Sequence, residues 1–350
     1  MGNRLFVICL QFNSLFFGKR DSERKIILKE DKRKLLAKIA YLYYIEDKPQ
    51  SEIAKELNIY RTTISRMIKQ ARKEGIVNIE IQEFNSHIFD LELYVKRKFS
   101  LKDIVIVPTN ESDSEEQKDE KLAKEAAAFL KRNIHYDSIV GLSWGSTLGR
   151  TISKIENKKK TNTTFVPIVG GPSHINSKYH VNTLVYDLAR KLNGKSAFVN
   201  ASAVQETKGL KEGIMNSKYF KELRDYWKSL DIAIVGIGGP LNTKESQWRD
   251  LLTDKDYEEL KIREAIGDCC CRFFDQDGKI IKGSLYCRTI GLDLDELSKV
   301  PMSVGIARSK RKSKSILAML KRRYINTLVT DEETILDLLK TLNDPFLDEY

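Results

Sequence analysis

The stretch from residue 50 to residue 81, QSEIAKELNIYRTTISRMIKQARKEGIVNIEI, constrains the fold of this chain more than any other. Apolar residues at three- and four-residue spacing predict a short helix and then a longer helix that begins at about Arg61. A tight turn at residues 58 and 59 separates the two helices. The alternating residues 76 to 81 predict a half-buried strand. This order is typical of a winged helix-turn-helix.

The second helix turns its apolar residues inward, and its other face carries hydroxyl and basic side chains. Such side chains read base edges and bind phosphates, and a recognition helix presents its N-terminal residues to the major groove of DNA. The alternative is a pair of amphipathic surface helices that bind no ligand. We predict a DNA-binding surface made of Ser51, Tyr60, Arg61, Thr62, Thr63, Ser65, Arg66 and Lys69.

The distribution of charge agrees with this prediction. The chain of 350 residues has a formal net charge of +11, and residues 1 to 85 contain 17 Lys or Arg against 11 Asp or Glu. Because cations that neutralise phosphates supply most of the non-specific affinity for DNA, a basic N-terminal region is expected of a DNA-binding protein. The length is sufficient for two or three folded domains.

The cysteines and the N-terminal apolar run indicate a cytoplasmic protein. No two cysteines have C-x-x-C spacing, so we expect reduced thiols and no metal site. The apolar run from residue 5 to residue 17 is too short and too polar to cross a membrane, and no signal-peptide cleavage site follows it. The five cysteines are Cys9, Cys269, Cys270, Cys271 and Cys287.

Four segments follow from these patterns. Residues 1 to 30 fit no predicted element and form an uncertain N-terminal extension. Residues 31 to 85 form the predicted winged helix-turn-helix domain. Residues 86 to 100 have one apolar stripe, which predicts a linker helix that pairs with a second subunit or docks on the next domain. Residues 101 to 345 form the second domain.

The second domain alternates apolar strands with helices. Runs such as DIVIVP, SIVGLS and DIAIVGIGG alternate with helical patterns, which predicts a mainly parallel sheet covered on both faces, and thus an α/β fold. The acidic segment from residue 110 to residue 121 is predicted as an exposed loop. Residues 196 to 202, SAFVNAS, are predicted as a strand. In such sheets ligands bind at the carboxyl ends of the strands.

The sharpest candidate for a ligand site is GLSWGST, residues 141 to 147, where a strand gives way to glycine and hydroxyl residues before a helix. Backbone N–H groups at a helix N-terminus, beside the hydroxyls of Ser146 and Thr147, bind a phosphate or another anion. The alternative is a tight turn without a ligand. The pattern also matches the G-x-S-x-G motif of esterases, but no histidine follows residue 180, which argues against that order of catalytic residues.

Three other features are consistent with a polar pocket. The glycines at residues 170 to 171 and 236 to 239 end apolar strands, where a backbone approaches a ligand closely. Asp268, in the segment GDCCCRFFDQDG, is placed to accept hydrogen bonds from sugar hydroxyls or to cap a turn. Residues 308 to 323 contain eight Lys or Arg and no acid, and they open a helix near this pocket, although such a run is usually a solvated face.

The order of these motifs resembles that of the SorC/DeoR-type sugar-binding transcriptional regulators. The resemblance covers about residues 33 to 342 and includes the helix-turn-helix, GLSWGST, VPIVGG, VGIGG, GDCCCRFFDQDG and LVTDE. It implies an effector domain similar to the sugar-phosphate isomerase fold, which binds a phosphorylated sugar without turnover and needs no cofactor. It also implies a homodimer or homotetramer on double-stranded operator DNA.

The resemblance also implies which residues bind the effector. The phosphate-holding loop of the family matches residues 144 to 147, and its sugar-contacting aspartate matches Asp268, with Cys270 on the same strand. Its basic pocket residue stands four positions before an isoleucine, which is Lys312 here. With the first glycine pair, the predicted effector-binding residues are Trp144, Gly145, Ser146, Thr147, Gly170, Gly171, Asp268, Cys270 and Lys312.

Three places depart from the family pattern. Arg308 and Ser309 stand where such regulators carry a glycine pair, and Arg322 and Arg323 stand where a second pair follows the helix. We therefore expect side chains in space that the family leaves open, and an effector that is different, more highly phosphorylated or absent. Tyr60 stands where the family has a serine cap, and so forgoes a cap worth about 1 kcal/mol.

These observations predict a ligand-responsive transcriptional regulator and favour a repressor of a carbohydrate-utilisation operon. Its partners would be operator DNA, a phosphorylated sugar and further copies of itself, and no membrane. One alternative is a DNA-binding regulator whose effector pocket has lost its ligand. The other is an enzyme on the same sheet, such as a sugar-phosphate isomerase or deaminase, with acid–base roles for Ser143, Asp268, Lys312 and His174.

Overall fold

The computed structural model describes residues 32–79, 85–156, 161–172, 177–241, 252–348 and 350. The chain divides into two compact units, Met1–Phe84 and Asn85–Tyr350. The predicted N-terminal extension and His174 lie outside the described residues. Among the helices described, none combines the length and apolar character that a membrane crossing needs.

Three helices form the described part of the first unit: α1 (residues 32–44), α2 (Gln50–Leu57) and α3 (Arg61–Lys73). Their inward residues share one core, in which Ile39, Ile53 and Ile64 are fully buried. Asn58 ends α2 with a left-handed backbone, at a φ of 53°, and so turns the chain toward α3. The predicted helix-turn-helix is confirmed.

The predicted wing strand is not observed in its described part. Residues 76–79 follow α3 as a bend and an irregular segment, and residues 80–84 lie outside the described residues. Ile76 and Val77 pack instead beside Leu36 of α1 and Ala71 of α3. Because these side chains find apolar partners on the helices, their burial does not depend on pairing with another strand.

The second unit contains nine described strands. Seven form one sheet, and β6 and β7 form a separate antiparallel hairpin. The strands are β1 (Asp103–Val107), β2 (Ile139–Leu142), β3 (Thr164–Pro167), β4 (Lys195–Ser196), β5 (Ile232–Gly236), β6 (Gly267–Cys269), β7 (Arg272–Phe274), β8 (Met302–Ile306) and β9 (Thr327–Asp331).

The large sheet has the order β1-β9-β8-β5-β2-β3-β4, and every neighbouring pair is parallel. All five residues of β9 are buried, as a parallel sheet covered on both faces requires. The predicted α/β fold is confirmed. The helices of this unit are α4 (Ser86–Lys98), α5 (Glu115–Asn133), α6 (Ser146–Lys154), α7 (Val181–Lys191), α8 (Lys208–Asn216), α9 (Lys218–Lys228), α10 (Asp254–Ile262), α11 (Ser284–Arg288), α12 (Leu294–Leu297), α13 (Ser313–Lys321) and α14 (Glu332–Thr341).

Helix α4 corresponds to the predicted linker helix. Its apolar stripe of Ile88, Leu91 and Val95 is buried in the main core of the second unit. The helix therefore docks on the α/β domain, which is one of the two arrangements that its stripe predicted.

Two elements differ from the sequence prediction. The acidic segment predicted as a loop contains the first turns of α5, because Ser114 and Gln117 form a reciprocal capping box that begins the helix at Glu115. The predicted strand at residues 196 to 202 is reduced to β4. Beyond β4, the N–H of Val199 donates to Oδ1 of Asn182 at 3.0 Å, and Nδ2 of Asn182 donates to the carbonyl of Val199 at 2.9 Å. The amide side chain thus makes the two hydrogen bonds that a neighbouring strand would make.

Candidate functional site

The predicted DNA-binding residues are accessible in the first unit. In α3, Ile64, Ile68 and Ala71 are buried against the other helices, so the opposite side of the helix is free to meet a ligand. Thr63 and Ser65 are half-buried. The exposed members of the predicted set are Ser51, Tyr60, Arg61, Thr62, Arg66 and Lys69.

Tyr60 occupies the N-cap of α3 and is 86% exposed. Its side chain makes no capping hydrogen bond, while its carbonyl accepts hydrogen bonds from the N–H groups of Thr63 (2.8 Å) and Ile64 (3.0 Å). The first turn contains Arg61 and no acidic residue. A helix N-terminus with a cation and without a carboxylate attracts phosphate, so this end of α3 suits the backbone of DNA.

In the second unit, three candidate loops follow three neighbouring strands. Strand β5 lies between β2 and β8 in the sheet, and all three run parallel. The loop after β2 leads into α6, the loop after β5 begins with residues 237 to 239, and the loop after β8 leads into α13. Because carboxyl ends of parallel strands meet at one edge, these loops converge at the place where α/β sheets bind ligands.

The loop after β2 presents the N-terminus of α6. Gly145 is the N-cap of this helix, its φ is 131°, and a Cβ built on it would have no atom within 4 Å. None of the described side chains caps the helix. Ser146 is exposed and Thr147 is half-buried beside the first-turn N–H groups. An open helix N-terminus flanked by hydroxyls is suited to an anion.

Two hydrogen bonds hold this loop against its neighbours. The indole Nε1–H of Trp144 donates to the carbonyl of Gly170 at 2.9 Å, and the N–H of Gly236 donates to Oγ of Ser143 at 3.2 Å. Trp144 and Gly170, both predicted site residues, are thus brought together. Ser143 is 4% exposed and serves this contact between β2 and β5.

Asp268 lies against the glycines that follow β5. It is 6% exposed, and a Cβ built on Gly238 would fall 2.0 Å from its Oδ1, so a larger residue at this position would displace the carboxylate. The N–H of Gly238 also donates to the carbonyl of Asp268 at 2.8 Å. The carboxylate is therefore placed at the carboxyl end of β5. Asp268 lies within β6, the first strand of the hairpin.

Lys312 lies against the next glycine, Gly239. It ends a 3-10 turn, Lys310–Lys312, and is the N-cap of α13. A Cβ built on Gly239 would lie 3.2 Å from its Cγ. The adjacent glycines therefore bring together a carboxylate and a lysine that are distant in sequence. Gly238 and Gly239 were not among the predicted site residues, although the Gly-Ile-Gly-Gly pattern marked them.

The arginines that depart from the family pattern do not occupy this place. Arg308 turns toward α5 and β9, where it forms ion pairs with Asp331, Asp119 and Glu115. Arg322 follows the C-terminal end of α13 and its Nε donates to the carbonyl of Asp277. Arg323 follows at the same end of that helix and is exposed. The described contacts of Arg308 and Arg322 are therefore with α5, β9 and Asp277, and the expectation of a different, more highly phosphorylated or absent effector stays a prediction.

The glycine pair after β3 has a packing role. A Cβ on Gly170 would lie 2.5 Å from the carbonyl oxygen of Ser202, and one on Gly171 would lie 2.4 Å from Nε2 of His180. Nδ1 of His180 accepts the N–H of Asn182 at 3.2 Å, and burial lowers the pKa of this imidazole. A neutral His180 then carries its proton on Nε2, beside Gly171. Nothing in the sequence indicated that this histidine, which caps α7, also packs against Gly171.

Cys270 differs from its predicted place. It lies in the turn between β6 and β7 and not on the strand of Asp268, because Cys270 and Cys271 both have positive φ values (52° and 57°), as tight hairpin turns require. Both thiols are buried, and burial raises the pKa of Cys271. Within the described ranges, no group of three or more His, Cys, Asp or Glu residues could hold a metal ion.

The fold and these two sites define a transcriptional regulator with a helix-turn-helix and an α/β sugar-binding domain. The family described as "Putative sugar-binding domain" matches residues 84–340, and this chain belongs to it. Over 313 residues the chain is 37% identical to the sorbitol operon regulator of Klebsiella pneumoniae, a match that spans 89% of this chain and 99% of that protein. It is 26% identical over 314 residues to the deoxyribonucleoside regulator of Bacillus subtilis, with coverage of 89% and 99%.

Solved structures agree with these relationships. The crystal structure of the full-length sorbitol operon regulator SorC from Klebsiella pneumoniae has a TM-score of 0.70 at 37% identity, and the match covers 88% of this chain and 99% of that chain. A transcriptional regulator from Streptococcus pneumoniae has a TM-score of 0.71 at 42% identity, with coverage of 74% and 99%. These relatives are named as regulators, which favours the regulator over the enzyme alternative.

Proposed function

We propose that this protein is a cytoplasmic repressor of a carbohydrate-utilisation operon and that a phosphorylated sugar controls its affinity for operator DNA. Helix α3 enters the major groove, and the loops after β2, β5 and β8 bind the effector without a cofactor. The protein acts as a homodimer or homotetramer, because paired half-sites in DNA need paired recognition helices.

The observation that carries the proposal is the placing of three chemical groups at the carboxyl ends of adjacent strands. These groups are the open N-terminus of α6, the side chain of Lys312 beside Gly239 and the carboxylate of Asp268 beside Gly238. A helix N-terminus and a lysine favour phosphate, and a carboxylate accepts hydrogen bonds from sugar hydroxyls. A phosphorylated sugar presents both kinds of partner. The names of two relatives, regulators of a sorbitol operon and of deoxyribonucleosides, support an effector related to sugars, and the phosphate is inferred from the helix N-terminus and Lys312.

Calorimetry with a panel of hexose and pentose phosphates tests the effector site. The parent sugars and inorganic phosphate serve as ligand controls. We expect one sugar phosphate to bind at least tenfold more tightly than its parent sugar, because the helix N-terminus and Lys312 act on the phosphate. Thr147→Val and Lys312→Gln should each weaken this binding, whereas Lys314→Gln, which changes an exposed lysine two residues further on, should not. Equal affinity for the sugar and its phosphate would contradict the site.

Arg66→Ala tests the DNA-binding face. The exposed guanidinium is expected to contact DNA, so its loss should weaken operator binding by about 1 to 3 kcal/mol and leave the melting temperature unchanged. Arg72→Ala is the matched control, because Arg72 lies in the last turn of α3, where its Nε donates to the hydroxyl of Tyr44 at 2.6 Å. A gel-shift affinity for Arg66→Ala equal to that of wild type would show that another face of the helix meets DNA.

A further inference from the structure

A group of ion pairs encloses the loop that carries Lys312. Arg308, two residues after β8, is 6% exposed, and each of its three guanidinium nitrogens reaches a carboxylate. Nε lies 2.7 Å from Oδ2 of Asp331, Nη1 lies 2.7 Å from Oδ1 of Asp119, and Nη2 lies 2.9 Å from Oε2 of Glu115. Because Asp119 and Glu115 belong to α5 and Asp331 ends β9, one side chain joins three elements.

The backbone beside Arg308 adopts a conformation that needs support. Ser309 has a φ of 101°, which residues with a side chain rarely adopt. Its N–H donates to Oγ1 of Thr334 at 2.8 Å, and the N–H of Thr334 donates to Oδ1 of Asp331 at 3.0 Å. Asp331 thus holds the Arg308 side chain directly and the Ser309 backbone through Thr334.

The same network reaches the helix that is proposed to bind phosphate. Oδ2 of Asp119 lies 3.9 Å from Nη2 of Arg150, which belongs to α6. On the other side, Lys310 pairs with Glu333 at 2.8 Å, and Glu333 pairs with Lys118 at 2.7 Å. Since Asp119 and Lys118 are both in α5, this helix is connected to the Lys312 loop and to α6.

We propose that Arg308 is a positioning residue of the effector site. It fixes the loop that places Lys312 against Gly239, and through α5 it ties this loop to α6. Arg308 does not touch the effector in this mechanism; it sets the distance between the two groups that bind the phosphate. The inference rests on the proposed function.

The test compares Arg308→Gln and Arg308→Lys with wild type. Lys98→Gln is the control, because Lys98 pairs at 2.6 Å with the buried Asp344 in the same unit and its loss leaves the ion pairs of the loop in place. Calorimetry with the tightest sugar phosphate of the panel is done well below the melting temperature of each variant. Hydrogen–deuterium exchange is followed in peptides that cover residues 307 to 314.

We expect Arg308→Gln to bind the sugar phosphate at least tenfold more weakly and to exchange faster over this peptide. Arg308→Lys should recover part of the affinity, because an ammonium can keep one of the three ion pairs. Lys98→Gln should bind as wild type does. Operator affinity without effector should be the same in all variants, since the change is confined to the effector loop.

An effector affinity of Arg308→Gln within twofold of wild type, together with wild-type exchange, would overturn the proposal whatever the loss of thermal stability. An equal loss of affinity in Lys98→Gln would also overturn it. The loss would then follow from breaking any ion pair in this unit and would not be specific to Arg308. If wild type binds no sugar phosphate, the proposed function fails, and exchange alone decides the role of Arg308. Faster exchange in Arg308→Gln than in Lys98→Gln supports positioning, and equal exchange refutes it.

Discussion

The two sides of the effector site are held by different interactions. On the β2 side, neutral hydrogen bonds join Trp144 to Gly170 and Ser143 to Gly236. On the β8 side, ion pairs centred on Arg308 hold the loop. The exposed and half-exposed members of this network, Glu115, Asp119 and Lys310, respond to salt and pH, whereas neutral hydrogen bonds respond little. Solution conditions and single charge changes should therefore act on the β8 side of the site first.

The largest expected effect is on the charged side. Arg308→Gln should lower the free energy of unfolding by about 3 to 5 kcal/mol, because the buried carboxylate of Asp331 loses its cation. Urea unfolding of the ligand-free protein measures this change. A loss below about 1 kcal/mol would place the network among ordinary surface ion pairs and would remove the contrast between the two sides.

A smaller effect is expected on the neutral side. Trp144→Phe removes the N–H that donates to the carbonyl of Gly170, so it should lower the free energy of unfolding by about 1 kcal/mol. Urea unfolding at about 0.1 M and about 1 M salt should give the same loss, since no ion pair is removed. A loss that shrinks at high salt would mean that charges also hold the β2 side.

The third effect depends on pH. Hydrogen bonds from Lys118 and Lys310 lower the pKa of Glu333 to about 2, from an ordinary 4.5. Because the pKa is lower in the folded protein, ionised Glu333 stabilises the fold above pH 4.5, and this contribution is lost as the pH falls toward 2. Urea unfolding across this range should show a smaller decrease for Glu333→Gln than for wild type. Parallel curves would show that Glu333 contributes nothing to stability.

The helix-turn-helix could be predicted because its pattern is local. Ile53, Ile64 and Ile68 occur at helical spacing within one short stretch, and all three are buried as that spacing predicts. The wing could not be predicted as reliably from alternation. Ile76 and Val77 have the alternating neighbours of a strand, yet helices α1 and α3 supply their apolar contacts.

The effector site was predicted in part. Glycine and hydroxyl residues after β2 marked an anion loop, but the contacts of Arg308 depend on Asp119 and Glu115, which are 189 and 193 residues away in the chain. Those acids lie in a segment that composition assigned to a loop, although Ser114 and Gln117 carry the spacing of a capping box. Because that segment is helical, its carboxylates reach Arg308 beyond the carboxyl ends of β8 and β9.

In the proposed function, a ligand in the second unit controls DNA binding by the first. An operator sequence is first selected by letting the protein bind a pool of random DNA duplexes. The most direct test then measures its affinity by fluorescence anisotropy, with and without a saturating sugar phosphate from the panel. We expect ligand to raise the Kd for DNA by about 5- to 150-fold, a coupling of about 1 to 3 kcal/mol, and DNA to weaken ligand binding by the same factor. An operator Kd that is unchanged at saturating ligand would contradict the proposed function.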